Sequence, residues 1–126
     1  MDDYDLDKAQ AHFRARVAFT TGVHELEVLT NQGPGDYAVV DARFPADFAR
    51  GHVPGAINLP PGRWNPPRGL RKDVPVYVYC YDATCHLAAQ AALALTQQGY
   101  RVIEVEGGWE RWVDKGFRSE PSLQAA

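Results

Sequence analysis

Short apolar runs alternate with segments of helical periodicity along this chain. The runs are rich in β-branched and aromatic residues, which is typical of strands buried in a parallel sheet. They lie at residues 37–41, 57–59, 75–80 and 101–105. Apolar residues recur every three or four positions over residues 5–19, 23–29 and 85–98, which predicts helices, and shorter helices are predicted over 45–49 and after Gly108. This alternation predicts an α/β domain with a mostly parallel sheet.

Cys80 ends the central predicted strand and stands shortly before a predicted helix. A thiol in front of a helix N-terminus faces free N–H groups and the positive end of the helix dipole, so we expect a lowered pKa and a reactive thiolate. The alternative is a small buried hydrophobe that ends a core strand. Ligands of parallel sheets bind beyond the carboxyl ends of the strands, and Asp41 and the Gly107-Gly108 turn fall at the same edge. That convergence favours the nucleophile.

Composition narrows the function classes for these 126 residues. Scattered basic residues and a net charge of −3 argue against nucleic-acid binding. The longest apolar run is too short for a membrane span, and the acidic start is unlike a signal peptide, so we expect a cytoplasmic protein that binds no membrane. Two cysteines five positions apart are better explained as catalytic, redox-active or inert than as a disulfide framework.

Two groups of motifs resemble the rhodanese-like (sulfurtransferase) domain family. They are Val39-Val40-Asp41-Ala42-Arg43 with Phe48 and Gly51-His52-Val53-Pro54-Gly55-Ala56-Ile57-Asn58-Leu59-Pro60, and then the strand ending at Cys80, the alanine-rich helix and Val105-Glu106-Gly107-Gly108-Trp109-Glu110-Arg111-Trp112. The resemblance covers about residues 36–117. Residues 1–35 are interpreted as a helical extension packed on the domain, and residues 118–126 as a C-terminal tail.

The resemblance implies a three-layer fold whose central, mostly parallel sheet has five strands flanked by helices. It also implies that Cys80 takes sulfane sulfur from thiosulfate or a persulfide and passes it from a cysteine persulfide to a thiol or cyanide. Backbone N–H groups of the loop would bind the sulfur. The predicted substrate-binding residues are Tyr81, Asp82, Ala83, Thr84, Cys85 and His86. No metal or organic cofactor is expected, because a thiolate divides the transfer into two covalent steps.

The Cys-x4-Cys loop departs from the family pattern, in which cations often follow the cysteine. This loop holds one anion, Asp82, and no cation. Thiosulfate is therefore in doubt as the best donor. Positive charge next to the loop could come instead from Arg63, Arg68, Arg71, Lys72 or a protonated His86. The alternative interpretation of each residue is a solvated side chain on the protein surface.

Cys85 leaves several alternatives open. It could attack a persulfide on Cys80, release sulfide and leave a disulfide, or it could be a small residue at a helix start. A metal site of Cys80, Cys85 and His86 would lack a fourth ligand. A phosphatase is disfavoured because the loop does not end in an arginine that grips an oxyanion. The alternative functions are a thiol redox or persulfide-sensing module that uses the Cys80–Cys85 pair, and a non-catalytic binding domain.

The expected partners are a small sulfur donor and a thiol or cyanide acceptor, with a protein acceptor as a further candidate and either a monomer or a homodimer. The remaining residues have mostly structural interpretations. Asp41 is expected to pair with Arg43 or cap a turn, and His52 to stabilise a turn. Asp82 is expected to face water, because a carboxylate beside the thiol would raise its pKa.

Overall fold

The computed structural model of the protein describes residues 3–121. Within them, helices and strands follow one another in this order: α1 (Leu6–Phe19), β1 (Thr20–Gly22), α2 (Val23–Thr30), β2 (Ala38–Asp41), α3 (Pro45–Arg50), β3 (Ile57–Asn58), β4 (Val76–Tyr79), α4 (Leu87–Gln97), β5 (Val102–Glu106) and α5 (Gly108–Asp114). Residues 60–73 contain neither helix nor strand, as predicted.

The five strands of the described residues form one sheet in the order β1-β5-β4-β2-β3, and every pair is parallel. This confirms the predicted fold class. Strand β1 was not predicted, because a Thr-Thr-Gly segment between two helices carries no apolar alternation. It forms through pairing with β5, where Thr20 lies opposite Glu104 and Gly22 opposite Glu106. The domain boundaries at residues 35 and 117 stay a prediction.

Alternation along β4 divides the core into two layers. Val76 and Val78 point to one face of the sheet, while Tyr77 and Tyr79 point to the other. The first face is covered by buried residues of α4, which are Ala88, Ala91 and Leu95. The second is covered by buried residues of α2 and α5, which are Val23, Leu26 and Trp112. The three predicted layers are therefore present: α4 forms the layer on one face of the sheet, and α2 and α5 form the layer on the other.

A buried ion pair lies where β2 ends. Arg43 Nη2 is 2.8 Å from Asp41 Oδ2, and the side chains are 3% and 0% exposed. Tyr79 donates a hydrogen bond of 2.6 Å to the same carboxylate oxygen. Burial and then the neighbouring Asp41 hold the pKa of Tyr79 well above its usual value. Both structural roles expected of Asp41 are found, because its Oδ1 also accepts the backbone N–H of Arg43 at 2.8 Å.

The start of the predicted tail is paired with the domain. His52 and Glu120 exchange two backbone hydrogen bonds of 2.9 Å. The His52 ring stacks on Phe48 with centroids 3.9 Å apart, and its Nδ1 lies 3.2 Å from the Phe48 carbonyl oxygen. The structural role predicted for His52 is confirmed. Residues 122–126 of the predicted tail lie outside the described residues.

Helix α1 contacts β1 and β5 and buries none of its side chains among the described residues. An exposed ion pair of 3.3 Å joins Arg16 to Glu106 on β5. Over residues 3–121, no helix has the length and apolarity needed to cross a membrane.

Candidate active site

Cys80 directly follows the central strand β4, and its side chain is almost wholly covered, at 3% exposure. Its sulfur lies at the N-terminal end of α4, as expected from the sequence. The thiol donates to the backbone carbonyl of Cys85 at 3.5 Å. The backbone N–H groups of Ala88 and Tyr81 face the sulfur. The strand end, loop and helix start therefore meet around one thiol.

Burial and, after it, the neighbouring Cys85 thiol together raise the pKa of Cys80 to about 12, while the N–H groups of Ala88 and Tyr81 act in the opposite direction. The lowered pKa predicted from the sequence is wrong. A helix N-terminus does stabilise a thiolate, but the loss of hydration destabilises this thiolate more than the two N–H groups stabilise it. The free thiol is accordingly protonated at neutral pH.

We expect this raised pKa to govern the alkylation of Cys80. Iodoacetamide reacts with the thiolate, so its rate at Cys80 should still rise about tenfold per pH unit between about pH 7 and about pH 10. In the urea-unfolded chain the rate should level off near about pH 8.5. Peptide mapping by mass spectrometry separates Cys80 from Cys85. A rate for folded Cys80 that levels off near neutral pH would contradict the burial argument.

Helix α5 holds the first residues of the loop. The N–H groups of Trp109 and Glu110 donate bonds of 2.8 Å to the carbonyls of Cys80 and Tyr81. Gly108 permits this approach, because a Cβ atom on it would lie 2.5 Å from the Cys80 carbonyl oxygen. Its φ of +59° is also in the left-handed region that favours glycine. The Gly107-Gly108 turn thus positions the backbone that carries the thiol.

Gly108→Ala should lower the free energy of unfolding by about 3 kcal/mol or more, since strain at positive φ adds to a clash with backbone. Gly116→Ala is the matched control, because Gly116 has φ +71° and no atom within 4 Å of an added Cβ. That variant should lose only about 1 kcal/mol. Urea unfolding of both variants checks the difference, and equal losses would show that the close approach to Cys80 is unimportant.

The outer half of the loop is closed by Asp82. Its Oδ1 accepts the backbone N–H and the hydroxyl of Thr84 at 2.9 and 2.7 Å, and these bonds lower its pKa. Its carbonyl accepts the Cys85 N–H at 3.2 Å. The carboxylate is therefore engaged at the exposed rim rather than aimed at the thiol, in agreement with the expectation from the sequence.

The six predicted substrate-binding residues do not all face the sulfur. The Tyr81 hydroxyl donates to Asp47 and accepts the Phe44 N–H at 3.1 Å, so its ring lies against the start of α3. Ala83, Thr84 and His86 are exposed. Within residues 3–121, the N–H groups of Asp82, Ala83 and His86 have no hydrogen-bond acceptor. Substrate binding by these residues stays a prediction.

The charged side chains of the irregular loop separate into two groups. Arg63 and Arg68 line a cavity of about 520 Å³ together with Asn58 and Leu59 at the end of β3. Arg71 instead forms an ion pair of 3.1 Å with Asp73, and Lys72 lies over the ring of Tyr100. Of these four basic residues, only Arg63 and Arg68 are therefore placed at the edge of the sheet where Cys80 lies.

The contact of Arg43 with Trp109 and the hydrogen bonds from α5 to the loop are the parts of this site that the sequence did not identify. The Arg43 guanidinium lies 4.5 Å from the centroid of Trp109, which covers it. The Trp109 ring therefore covers the Asp41–Arg43 ion pair beneath the loop. Among residues 3–121, no cluster of three or more histidine, cysteine or acidic side chains could bind a metal ion.

Comparison with known proteins identifies the family. The model of the rhodanese-like domain matches residues 24–115, which is most of the chain. The chain belongs to the rhodanese-like family. The resemblance found in the motifs is thereby confirmed, and the rhodanese-like segment includes the Cys80 loop and α5.

Individual proteins of known sequence or structure are similar to this rhodanese-like chain. A protein of Allochromatium vinosum described as a sulfurtransferase is 37% identical over 87 residues, which cover 65% of this chain and 77% of that protein. YqhL of Bacillus subtilis is 32% identical over 79 residues, so this chain spans only 61% of its length. The crystal structure of BH2092 from Bacillus halodurans superimposes with a TM-score of 0.84 at 27% identity, covering 97% of this chain and 91% of that one. The N-terminal elements α1 and β1 therefore have counterparts in a solved relative.

Proposed function

We propose that this protein is a sulfurtransferase that carries sulfane sulfur as a persulfide on Cys80. The observation that carries the proposal is the position of the Cys80 sulfur. It lies at the carboxyl end of the central strand, before α4, with the N–H groups of Tyr81 and Ala88 facing it. Family membership and the relative described as a sulfurtransferase support the same activity. We further propose that the protein acts in the cytoplasm, where cysteines are kept reduced.

Two displacements make up the proposed reaction. The Cys80 thiolate attacks the sulfane sulfur of thiosulfate or of a small persulfide, and sulfite or a thiol leaves with the electron pair of the broken S–S bond. A thiolate or cyanide then attacks the outer sulfur and regenerates Cys80. The outer sulfur extends the side chain into the loop, where the N–H groups of Asp82, Ala83 and His86 have no other acceptor among the described residues. Such donors stabilise the persulfide anion.

The raised pKa of Cys80 favours a second candidate, a rhodanese-fold domain that binds a partner without transferring sulfur. Few molecules carry a thiolate at neutral pH when burial outweighs the N–H donors. A sulfurtransferase with this thiol would load slowly and gain speed at alkaline pH, whereas a binding domain would not load at any pH.

Intact mass separates the two candidates. The reduced protein is incubated with thiosulfate and, separately, with glutathione persulfide at neutral and alkaline pH. A gain of one sulfur atom on Cys80 that cyanide removes supports the sulfurtransferase. Neither a gain of sulfur nor a loss of two hydrogen atoms with either donor at either pH would leave the binding domain as the better account.

The cavity at the end of β3 suggests a preference for a larger anionic donor. Strands are about 4.8 Å apart and β3 lies two strands from β4, so the ends of these two strands are about 10 Å apart. Arg63 and Arg68 could therefore bind the carboxylates of a donor such as glutathione persulfide while its sulfur reaches the loop.

We expect the double variant Arg63→Ala/Arg68→Ala to raise KM for glutathione persulfide about fivefold, the equivalent of about 1 kcal/mol for exposed charges. Arg71→Ala is the matched control, because Arg71 is already paired with Asp73. Its KM should stay unchanged. Steady-state transfer to cyanide measures both, and an equal change in the two variants would exclude the cavity as the donor site.

A further inference from the structure

We propose that Cys85 resolves the Cys80 persulfide, releasing sulfide and leaving a Cys80–Cys85 disulfide. This inference rests on the proposed loading of Cys80 and gives the loaded sulfur a second outcome besides transfer to an external acceptor. Both cysteines are free thiols in the structure.

The loop returns Cys85 to the thiol at its beginning. The Cys85 N–H bonds to the Asp82 carbonyl at 3.2 Å, which closes a tight turn, and the Cys85 carbonyl oxygen lies 3.5 Å from the Cys80 sulfur. Cys85 also packs against the core cluster that contains Cys80. The two side chains are thus neighbours across the inside of the loop.

Cys85 has the surroundings of an attacking thiol. The backbone N–H of Leu87, in the first turn of α4, donates to the Cys85 sulfur at 3.4 Å. An N–H group at a helix start stabilises negative charge on sulfur. Cys85 is partly exposed, whereas Cys80 is buried. Cys85 is therefore both held at the helix start and open to solvent, whereas the Cys80 sulfur is enclosed.

Burial also favours an internal nucleophile for this step. An external thiol has little access to the inner sulfur of a Cys80 persulfide, because the Cys80 side chain is 3% exposed. Cys85 is part of the loop wall that covers this sulfur.

The proposed step is balanced within the loop. The Cys85 sulfur attacks the inner sulfur of the persulfide, a Cys80–Cys85 bond forms, and the bond to the outer sulfur breaks. The outer sulfur leaves as hydrosulfide with the bonding electron pair and is reduced, while the Cys85 sulfur is oxidised and the Cys80 sulfur exchanges one S–S bond for another. A dithiol reductant then reduces the disulfide and restores both thiols.

A single-turnover experiment tests this role. The full chain is reduced, freed of reductant under anaerobic conditions, loaded with glutathione persulfide and desalted. Sulfide release and intact mass are then followed. The wild type should release about one sulfide per loaded protein and lose two hydrogen atoms, mapped to a Cys80–Cys85 bond. Cys85→Ser should keep the extra sulfur at least about tenfold longer, because it lacks the intramolecular nucleophile.

Two outcomes would overturn the resolving role. One is equal retention of sulfur by the wild type and Cys85→Ser, and the other is extra sulfur found on Cys85 without sulfide release. Cys85→Ala, with circular dichroism to confirm folding, repeats the test without a hydroxyl. If neither the wild type nor the two Cys85 variants load, the proposed function fails together with this step. Loading with equal retention rejects the resolving role alone.

Discussion

Cys80→Ser should lose sulfur loading from both donors, and its rate of sulfur transfer to cyanide should fall by about 10⁴-fold or more, the scale on which removing a covalent nucleophile lowers kcat. A serine hydroxyl in this position remains protonated and cannot carry sulfane sulfur. The measurement is intact mass after incubation with each donor, together with thiocyanate formation from cyanide. Transfer that persists in the variant would exclude Cys80 as the carrier.

The loss should not come from unfolding. The serine side chain occupies slightly less volume, and its hydroxyl can donate to the Cys85 carbonyl as the thiol does. Thermal unfolding monitored by circular dichroism checks this. Cys85→Ser is the matched control, because it removes the other thiol of the same loop and should still gain sulfur on Cys80.

Hydrophobic patterning was enough to predict most of the sheet. Strands β2, β4 and β5 are apolar because both of their faces are covered, and that composition is visible in the sequence. Strand β1 has no such pattern. Its Thr-Thr-Gly segment becomes a strand only because the edge of β5 offers hydrogen-bond partners, which is a tertiary effect.

The position of Cys80 was predictable, but its ionisation was not. A cysteine after a buried strand and before a helix must lie near a helix N-terminus, and it does. How completely the thiol is removed from water depends on side chains distant in sequence, such as Leu59 and Trp64, which pack in the same cluster. The sequence therefore indicated the N–H donors, which lower the pKa of Cys80, but not the burial that raises it more strongly.

Contacts between distant segments account for the rest of the site. The Gly107-Gly108 turn could be placed at the correct edge, yet the 2.5 Å approach of a Gly108 Cβ to the Cys80 carbonyl depends on how α5 docks. Likewise, the four basic residues of the irregular loop look equivalent in sequence. Only the fold shows that Arg71 is bound to Asp73 while Arg63 and Arg68 line a cavity.

Arg43→Met should lower the free energy of unfolding by about 3–5 kcal/mol, as expected when one partner of a buried ion pair is removed. Arg43 contacts Asp41 through two nitrogen atoms and donates a further bond of 2.6 Å to the Gly51 carbonyl. Methionine fills part of the space but leaves the Asp41 carboxylate charged and 0% exposed. Urea unfolding measures the loss, and Arg16→Ala, which breaks an exposed pair, should cost no more than about 1 kcal/mol.

The cause of that loss can be isolated with Asp41→Asn, which removes the negative charge and keeps the shape. In the Asp41→Asn background, Arg43→Met should cost about 1–3 kcal/mol less than in the wild type, because no unpaired carboxylate remains buried. An unchanged cost would assign the stabilisation to the Gly51 contact and to packing against Trp109.

Because the backbone N–H of Trp109 also donates to the Cys80 carbonyl, Arg43→Met should slow sulfur loading as well if the ion pair positions the loop. Loading at the wild-type rate in a folded Arg43→Met protein would show that the pair stabilises the fold without positioning the thiol.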